Sequence, residues 1–594
     1  MNGHASFNRS FTVVWSDTHQ AYVVTHEATR RKGKRSGTIA RPVAQALLAA
    51  FAAFGAGGGA IAGVAPTTVV PTGGNTVAYV SPNGVPVVDI NTANAAGLSH
   101  NKFTRYDVDT NGLVLNNGNT SQMARQSQLA GQVMANTNLS NEARVILNEV
   151  VSANRSTLAG FTEVVGGKAD VIVANPYGIT CSGCGYINTD RVTMTTGTPN
   201  FSPTGDLAGF TVKGGDILIN GNGLNASAQQ VLDLVARSVK LDAAINTKDL
   251  GITAGANQWD YASRSVTGAA AATGAAPAYA IDSSALGGMY AGRIRILATE
   301  AGVGVRMLGD AAATADDFTL NAAGKVEIAS KVSAQRDLAV STTASNTDAL
   351  TLNNASLTAQ RDASLNAAQG GVQMTGGALV AKQNLNVTAK TLDDNSSSAS
   401  VQDNNKRYAG GNANLNVAQT AAINGTAWGA GAALNASVGS LSVGSSGAQI
   451  YAGDTLGLTA TSGDLALNAA AVVAQNNLSL NANNGAIQMT AGADQGVQST
   501  AGNIALNAAT GLNNAGVIDA KAGNVTVRAN NATTNSGTLH AKGNLDIADK
   551  TGGQTANLTN AGTILAEGSA QIKANTLNNT STGKLQGSSI VANS

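Results

Sequence analysis

The chain has 594 residues and a net charge of +1; charged residues make up 12%, aromatic residues 4%, and glycine occurs 69 times. With a usual charged share of about 25%, there is little material here for a catalytic pocket, and no overall field to draw nucleic acid or an acidic membrane surface. A hydrophobic share of 43% without net charge also argues against disorder, which needs the opposite combination.

The amino terminus reads as an export device. Residues 30–35, RRKGKR, and Arg41 precede the apolar, small-residue run PVAQALLAAFAAFGAGGGAIAGVA, which ends at Ala65. A basic region, a short apolar region and small-x-small sites make a Sec-type signal peptide over 38–65, with Ala62 and Ala65 as cleavage candidates. Its strongly apolar part, Val43 to Phe54, is shorter than the ~20 residues a membrane-spanning helix needs. The leader before it, residues 1–37, is too polar for a signal core and too long for a simple basic region. Trp15, His19 and His26 lie in that leader, and because it is removed with the signal they are not expected to form a site.

From 66 to 310 the sequence is non-repetitive. Short runs such as VVDI, ADVIVAN, FTVKGGDILI and RIRIL, bounded by Gly, Asn, Pro and Asp, predict strands of a β-rich domain. In SAQQVLDLVARSVKL the spacing of Val231, Leu234, Val235 and Val239 also suits a helix, but its alternation and its β surroundings favour a strand.

From 311 to 594 the chain repeats itself. SAQRDLAV from Ser333 returns as TAQRDASL from Thr358 and VAKQNLNV from Val380, then as YAGDTLGL from Tyr451, VAQNNLSL from Val473 and HAKGNLDI from His540. Leu-Asn pairs, among them Leu320-Asn321, Leu365-Asn366 and Leu506-Asn507, are expected at strand ends, with the asparagines laddering at corners. A repeat of roughly 22 residues that cannot bury its apolar face alone must stack. The expected fold is all-β, a right-handed parallel β-helix, and at ~4.8 Å per coil the repeats make a rod on the order of 60 Å long.

Candidate chemistry is sparse. Cys181 and Cys184, the two cysteines of the chain, lie in VIVANPYGITCSGCGYINTDRVT. A redox C-x-x-C wants a βαβ setting and a structural zinc site wants four ligands; neither is visible in the sequence. In an oxidising compartment a local disulfide is the simplest outcome, with free thiols and a redox or metal role as the alternatives. Behind the leader, His100 and His540 stand far apart, and Asp107 and Asp109 in RYDVDTNG suit a turn better than an incomplete calcium loop. GAGGGAIAG lacks the Lys-Ser/Thr of a phosphate loop. Neither an enzyme, a cofactor nor a metal is expected.

Several stretches, in order, resemble the secretion domain of two-partner secretion exoproteins of the filamentous haemagglutinin type: SHNKFTRYDVDTNGLVLNN from Ser99, ARVILNEVVSANRSTLAGFTEVVGGKADVIVANPYGITCSGCGYINTDRVTMTTG from Ala143, and YAIDSSALGGMYAGRIRILATEAGVGVRMLG from Tyr279. The leader resembles the extended signal peptide region of such proteins in Gram-negative bacteria. The resemblance implies a β-helical secretion domain over 66–310 that addresses a dedicated outer-membrane β-barrel transporter with periplasmic capture domains. Two family motifs carry over in part. Asn136, Asn138 and Leu139 match N-P-N-L, with Thr137 in place of Pro; Asn175, Pro176, Gly178 and Ile179 match N-P-N-G-I, with Tyr177 in place of Asn. These departures favour a turn role over strict side-chain readout, and the C-x-x-C is similar to that of a subset of the family.

The leading expectation is a secreted, non-enzymatic surface adhesin that contacts host or bacterial cell-surface receptors and no nucleic acid. The alternatives are the stalk of a contact-dependent growth-inhibition toxin, or a secreted cytolysin. The repeats stop at GSSIVANS without a polar cap, so the chain is expected to be a fragment or a truncated gene product.

Overall fold

The computed structural model describes residues 11–16, 21–26, 65–395, 406–444, 448–490 and 496–593. The basic run, the signal core, His19 and Ala62 lie outside them, whereas Ala65 lies within and is exposed. The leader forms its own unit, an antiparallel hairpin of Phe11–Ser16 and Ala21–His26. In the register Trp15 pairs with Tyr22 and His26 with Phe11, which places two of the three leader residues weighed above at opposite ends of the hairpin.

In the second unit, Gly63–Ser594, every regular element among the described residues is a strand, and successive coils pair in parallel to make a β-helix. One wall runs Leu98–Tyr106, Val145–Val150, Asp170–Ala174, Arg191–Thr195, Val231–Ala236, Ile245–Ala254, Met289–Ala298. Their inward Ile, Val, Leu and Met side chains fill one continuous core. The ambiguous VLDLVARSVKL is two strands, Val231–Ala236 and Ser238–Leu241, broken at Arg237. Leu232 and Leu234 point into the core while Asp233 points out, which is the alternation of a strand.

Two antiparallel elements sit outside the helix. A hairpin of Ala124–Ser127 and Gly131–Met134 is held by the buried Glu163 carboxylate, which accepts bonds from Ser127 Oγ (2.6 Å), Gln128 N (2.8 Å) and Leu129 N (3.0 Å). A four-stranded sheet of Thr198–Phe201, Leu207–Val212, Asn257–Asp260 and Ser265–Ala269 packs Phe210, Trp259 and Tyr261 against Leu147, Ile172 and Val235. This cover explains why DVIVA at Asp170–Ala174 is apolar on both faces, since a strand covered on both sides loses its polar alternation. Arg264 at a hairpin tip clamps the sheet down, with bonds to Asp233 and Asp249, and Arg191 stacks on the Tyr261 ring at 3.8 Å.

The repeats pair in the register in which their sequences align. Ser333 lies beside Thr358, Thr358 beside Val380, Tyr451 beside Val473 and Asp519 beside His540. Directly next to them runs a buried column of small residues: Ala334, Ala359, Ala381, Ala409, Ala430, Ala452, Ala474, Ser499, Ala520, Ala541 and Ala566. Small side chains let the chain turn here without crowding the next coil.

The Leu-Asn pairs meet the expectation for strand ends only in part: Asn353 and Asn468 end the strands Leu350–Asn353 and Leu465–Asn468. Asn321 and Asn366 are exposed, outward residues inside the strands Phe318–Ala322 and Ala363–Thr375, because period-two alternation puts a polar residue after each inward leucine. Asn507 Nδ2 donates to Asn481 Oδ1 at 2.8 Å, so some of these asparagines do bond from coil to coil, and two longer ladders run elsewhere along the rod. Asn514, Asn535, Asn560 and Asn579 pass amide bonds from coil to coil at 2.8, 2.8 and 2.7 Å, the first three of them buried. At another turn the side-chain oxygens of Asp317, Asp337, Asp362, Asn384 and Asn412 each accept a backbone N–H from the coil that follows.

Candidate functional site

Asn136 and Asn175 turn out to build the same device. At the second motif, Asn175 Oδ1 accepts the Tyr177 N–H (2.9 Å), and Gly178 N donates back to Asn175 O (3.0 Å). The amide of the same side chain donates to Asn154 O (2.8 Å) and Ser156 Oγ (3.0 Å) on the preceding coil. At the first, Asn136 Oδ1 accepts the Asn138 N–H (3.0 Å), Leu139 N donates to Asn136 O (3.1 Å), and the amide donates to Ile90 O (2.9 Å) and Asn116 O (3.0 Å). Each is an Asx turn whose leading asparagine, fully buried, stitches a β-helix corner to neighbouring strands.

The other positions follow from the turn. Pro176 takes the place after the capping residue, where a fixed φ suits the bend, and Thr137 there is exposed. Gly178 has φ +102°, and a Cβ on it would meet Arg155 Nη1, so only glycine fits. Arg155 is locked beneath by a two-pronged bond to Asp216 at 2.8 Å and by Nε to Thr180 Oγ1 at 2.7 Å. Leu139 and Ile179 drop into the core. Tyr177, by contrast, is 53% exposed, and Asn138 is half-buried with its amide on Asn75 O at 2.7 Å.

The C-x-x-C follows within the same coil. Cys181 ends the strand Ile179–Cys181 and Cys184 opens Cys184–Ile187; the sulfurs are joined in a disulfide with Cα atoms 5.5 Å apart. Gly183 between them has φ +92°. Both cysteines are buried, and the chain between them is tied by Ser182 N to Leu158 O and Gly183 N to Gly223 O, each 2.8 Å.

Beside the first corner lies a costly carboxylate. Burial pushes the Asp89 carboxyl up to about 6, and the Asn116 amide, at 2.7 Å, only partly offsets this. Sequence reasoning missed Asn116, Asn154, Ser156 and Arg155, the groups on which the corners close, because nothing in their spacing marks them as neighbours of Asn136 or Asn175.

The remaining polar residues weighed in the sequence serve structure. Asp109 Oδ1 accepts Asn111 N (2.9 Å), and Asp107 Oδ1 accepts Thr157 N (2.7 Å). His100 pairs with Glu149 at 2.7 Å, and His540 pairs with Asp519 at 2.7 Å in a distant coil. Among the described residues no group of His, Cys, Asp and Glu could hold a metal ion.

Comparison with known proteins now gives this geometry a family. Residues 62–328 match the TPS secretion domain, and residues 8–56 match the Extended Signal Peptide of Type V secretion system. The 16S rRNA endonuclease CdiA of Enterobacter cloacae subsp. cloacae is 40% identical over 375 residues, 59% of this chain and 11% of that protein. A tRNA nuclease CdiA of Escherichia coli strain STEC_O31 is 41% identical over 338 residues (54% and 10%), and a Toxin CdiA of Yersinia pestis is 46% identical over 263 residues (44% and 8%). The chain thus spans about a tenth of the length of these curated relatives. The crystal structure of a filamentous hemagglutinin secretion domain is 33% identical, covers 55% of this chain and 99% of that one, and has a TM-score of 0.42. The secretion domain and the extended signal peptide mark the chain for export through periplasm and outer membrane to the cell surface or the medium. With a secretion-domain match that takes in both asparagine-capped corners, and the matching leader before it, the chain belongs to the two-partner secretion family.

Proposed function

We propose that this chain supplies the export address and part of the stalk of a contact-dependent growth-inhibition toxin, whose toxic activity resides in sequence other than the residues described. The observation that carries this reading is the set of relatives named as CdiA toxins and nucleases, aligned over as many as 375 residues. It takes precedence over a free-standing adhesin because the curated relatives are named as toxins and nucleases. The β-helix itself is the non-catalytic part, a spacer that holds the active portion away from the membrane.

The export address is proposed to lie in the two corners. The chain leaves the cytoplasm through the Sec machinery and reaches the transporter unfolded, where extended segments add to sheet edges of its periplasmic domains. Asn136 and Asn175 are fully buried once folded. A transporter that reads these side chains therefore meets them before the corner closes, whereas Tyr177 stays readable afterwards. Folding outside then favours outward movement, and Cys181–Cys184 staples the coil that carries the second corner.

Two measurements test this. Secretion into the medium, with the cognate transporter, should fall strongly for Asn175→Ala and stay near wild type for Tyr177→Asn; unchanged secretion of Asn175→Ala removes the corner from the address. Separately, cells that carry the complete gene and its transporter should inhibit neighbours lacking an immunity protein. A complete gene that encodes only further repeats, with no inhibition in co-culture, returns the adhesin to first place.

A further inference from the structure

Within residues 311–593, Asp394 and Arg407 are the only charged side chains among the described residues that are buried, at 0% and 2% exposure. They stand in core columns that are otherwise apolar for several coils either way. Arg407 occupies the inward position filled by Val332, Leu357 and Leu379 before it and by Trp428, Ile450 and Val472 after it. Asp394 occupies that of Leu352 and Met374 before it and of Ile423 and Val443 after it.

The two charges meet across the interior. Arg407 Nη2 donates to Asp394 Oδ1 at 2.9 Å, and Trp428 Nε1 donates to Asp394 Oδ2 at 2.8 Å. Thr426 Oγ1 adds a bond to Oδ1 at 3.3 Å. Arg407 also donates to Gly377 O (2.8 Å) and Gly376 O (3.1 Å). Three successive levels of the rod are therefore tied at one point: the strand ending at Asn395, the coil of Lys406–Ala409 and the coil of Ala427–Ala430.

A buried ion pair adds little net stability over an apolar filling of the same volume, yet either charge left alone is heavily penalised. That asymmetry matters in a solenoid. Neighbouring coils offer nearly interchangeable Val, Leu and Ile, so apolar contact alone scarcely distinguishes the native order from one in which a coil is skipped. Skipping the Trp428 coil would set Arg407 against Ile450 and strip Asp394 of its indole donor and its threonine.

We propose that the Asp394–Arg407 pair, with Trp428 and Thr426, is the register lock of the repeat rod: its function is to make one stacking order of coils unique. Asp394→Met and Arg407→Leu place the flanking column residues at each site, and together they remove both charges. Cysteines read the register in the full secreted chain. Lys406→Cys with Ala427→Cys reports the native neighbours, and Lys406→Cys with Gln449→Cys reports the order that skips one coil.

Each single variant is expected to lose amide-exchange protection over residues 379–430. The double variant is expected to regain it, yet to form the 406–449 cross-link at least about tenfold more often than the charged chain, the shift that about 1.4 kcal/mol of lost preference produces. A double variant that cross-links only 406 to 427, as the charged chain does, overturns the proposal. So do single variants whose protection matches wild type.

Discussion

The corners of the secretion domain and the coils of the rod treat the same problem, polar groups at a bend that must be buried or shared, in opposite ways. At Asn136 and Asn175 each corner has a private, fully buried amide with its own carbonyls. In this ladder of the rod, turn side chains are exposed or half-buried and form a series in which each member serves the next coil. The first arrangement makes a specific place along the chain; the second makes a length. An address needs the former and a stalk the latter, which is how one fold serves both ends of the proposed function.

The largest expected effect separates the two directly. Asn175→Ala deletes three bonds, one buried and two part-buried, removes the partner of Tyr177 N and Asn154 O, and should cost about 3 kcal/mol in denaturant unfolding of the secretion domain. Asn503→Ala, an exposed rung of the rod, should cost less than about 1 kcal/mol. Equal costs would break the comparison. The rod has one stretch built in the manner of the corners, the buried ladder through Asn535. Asn535→Leu removes one buried bond from Asn514 and one from Asn560, each of which keeps other partners, and should cost about 2 kcal/mol, seen as amide exchange confined to those coils.

A smaller effect belongs to the staple. The Cys181–Cys184 loop is short, so the paired replacement by serine should cost about 1–2 kcal/mol and leave the fold intact by circular dichroism.

The smallest prediction concerns the carboxylate beside the first corner, and its sign is opposite. Asp89 holds its proton more tightly folded, at about 6 against 3.8, so stability falls as pH rises through that window and the penalty persists above it. Asp89→Asn should therefore stabilise the protein by about 1 kcal/mol at pH 7, discounted for its partial exposure, and should remove the pH step from urea midpoints measured between pH 4 and pH 7. A variant less stable than wild type at pH 7 would show that the charge is used.

How much of this was readable beforehand differs between the same two regions. The rod was legible because its repeats align residue for residue: Ala334, Ala359 and Ala381 are spatial neighbours as well as sequence equivalents. Where it misled, at pairs such as Leu320-Asn321 and Leu365-Asn366, the cause was reading strand ends into residues that alternate with core leucines inside a strand. Family motifs pointed to Asn136 and Asn175, but not to their being one device, since Thr137 and Tyr177 disguise the match. Arg155, Asn154 and the pairing of Asp394 with Arg407 and Trp428 depend on which coil stacks on which, and local pattern does not carry that. The four-stranded cover sheet was hidden for a related reason, because its strands read like any others until Trp259 and Phe210 are seen lying over Ile172.

The turn ladder has a direction. From Asp317 to Asp337, Asp362, Asn384 and Asn412, and again from Asn477 through Asn503, Asn524 and Asn544, the oxygen always belongs to the earlier coil and the N–H to the later one. A finished coil therefore displays a fixed acceptor at the spot where the next turn must begin, and a chain arriving in sequence order finds its bend already marked. Assembly from the other end would meet loose donors with nothing rigid to receive them. The rod is a one-way zipper whose teeth are side-chain carboxylate and amide oxygens, suited to a polypeptide that enters its surroundings a few residues at a time.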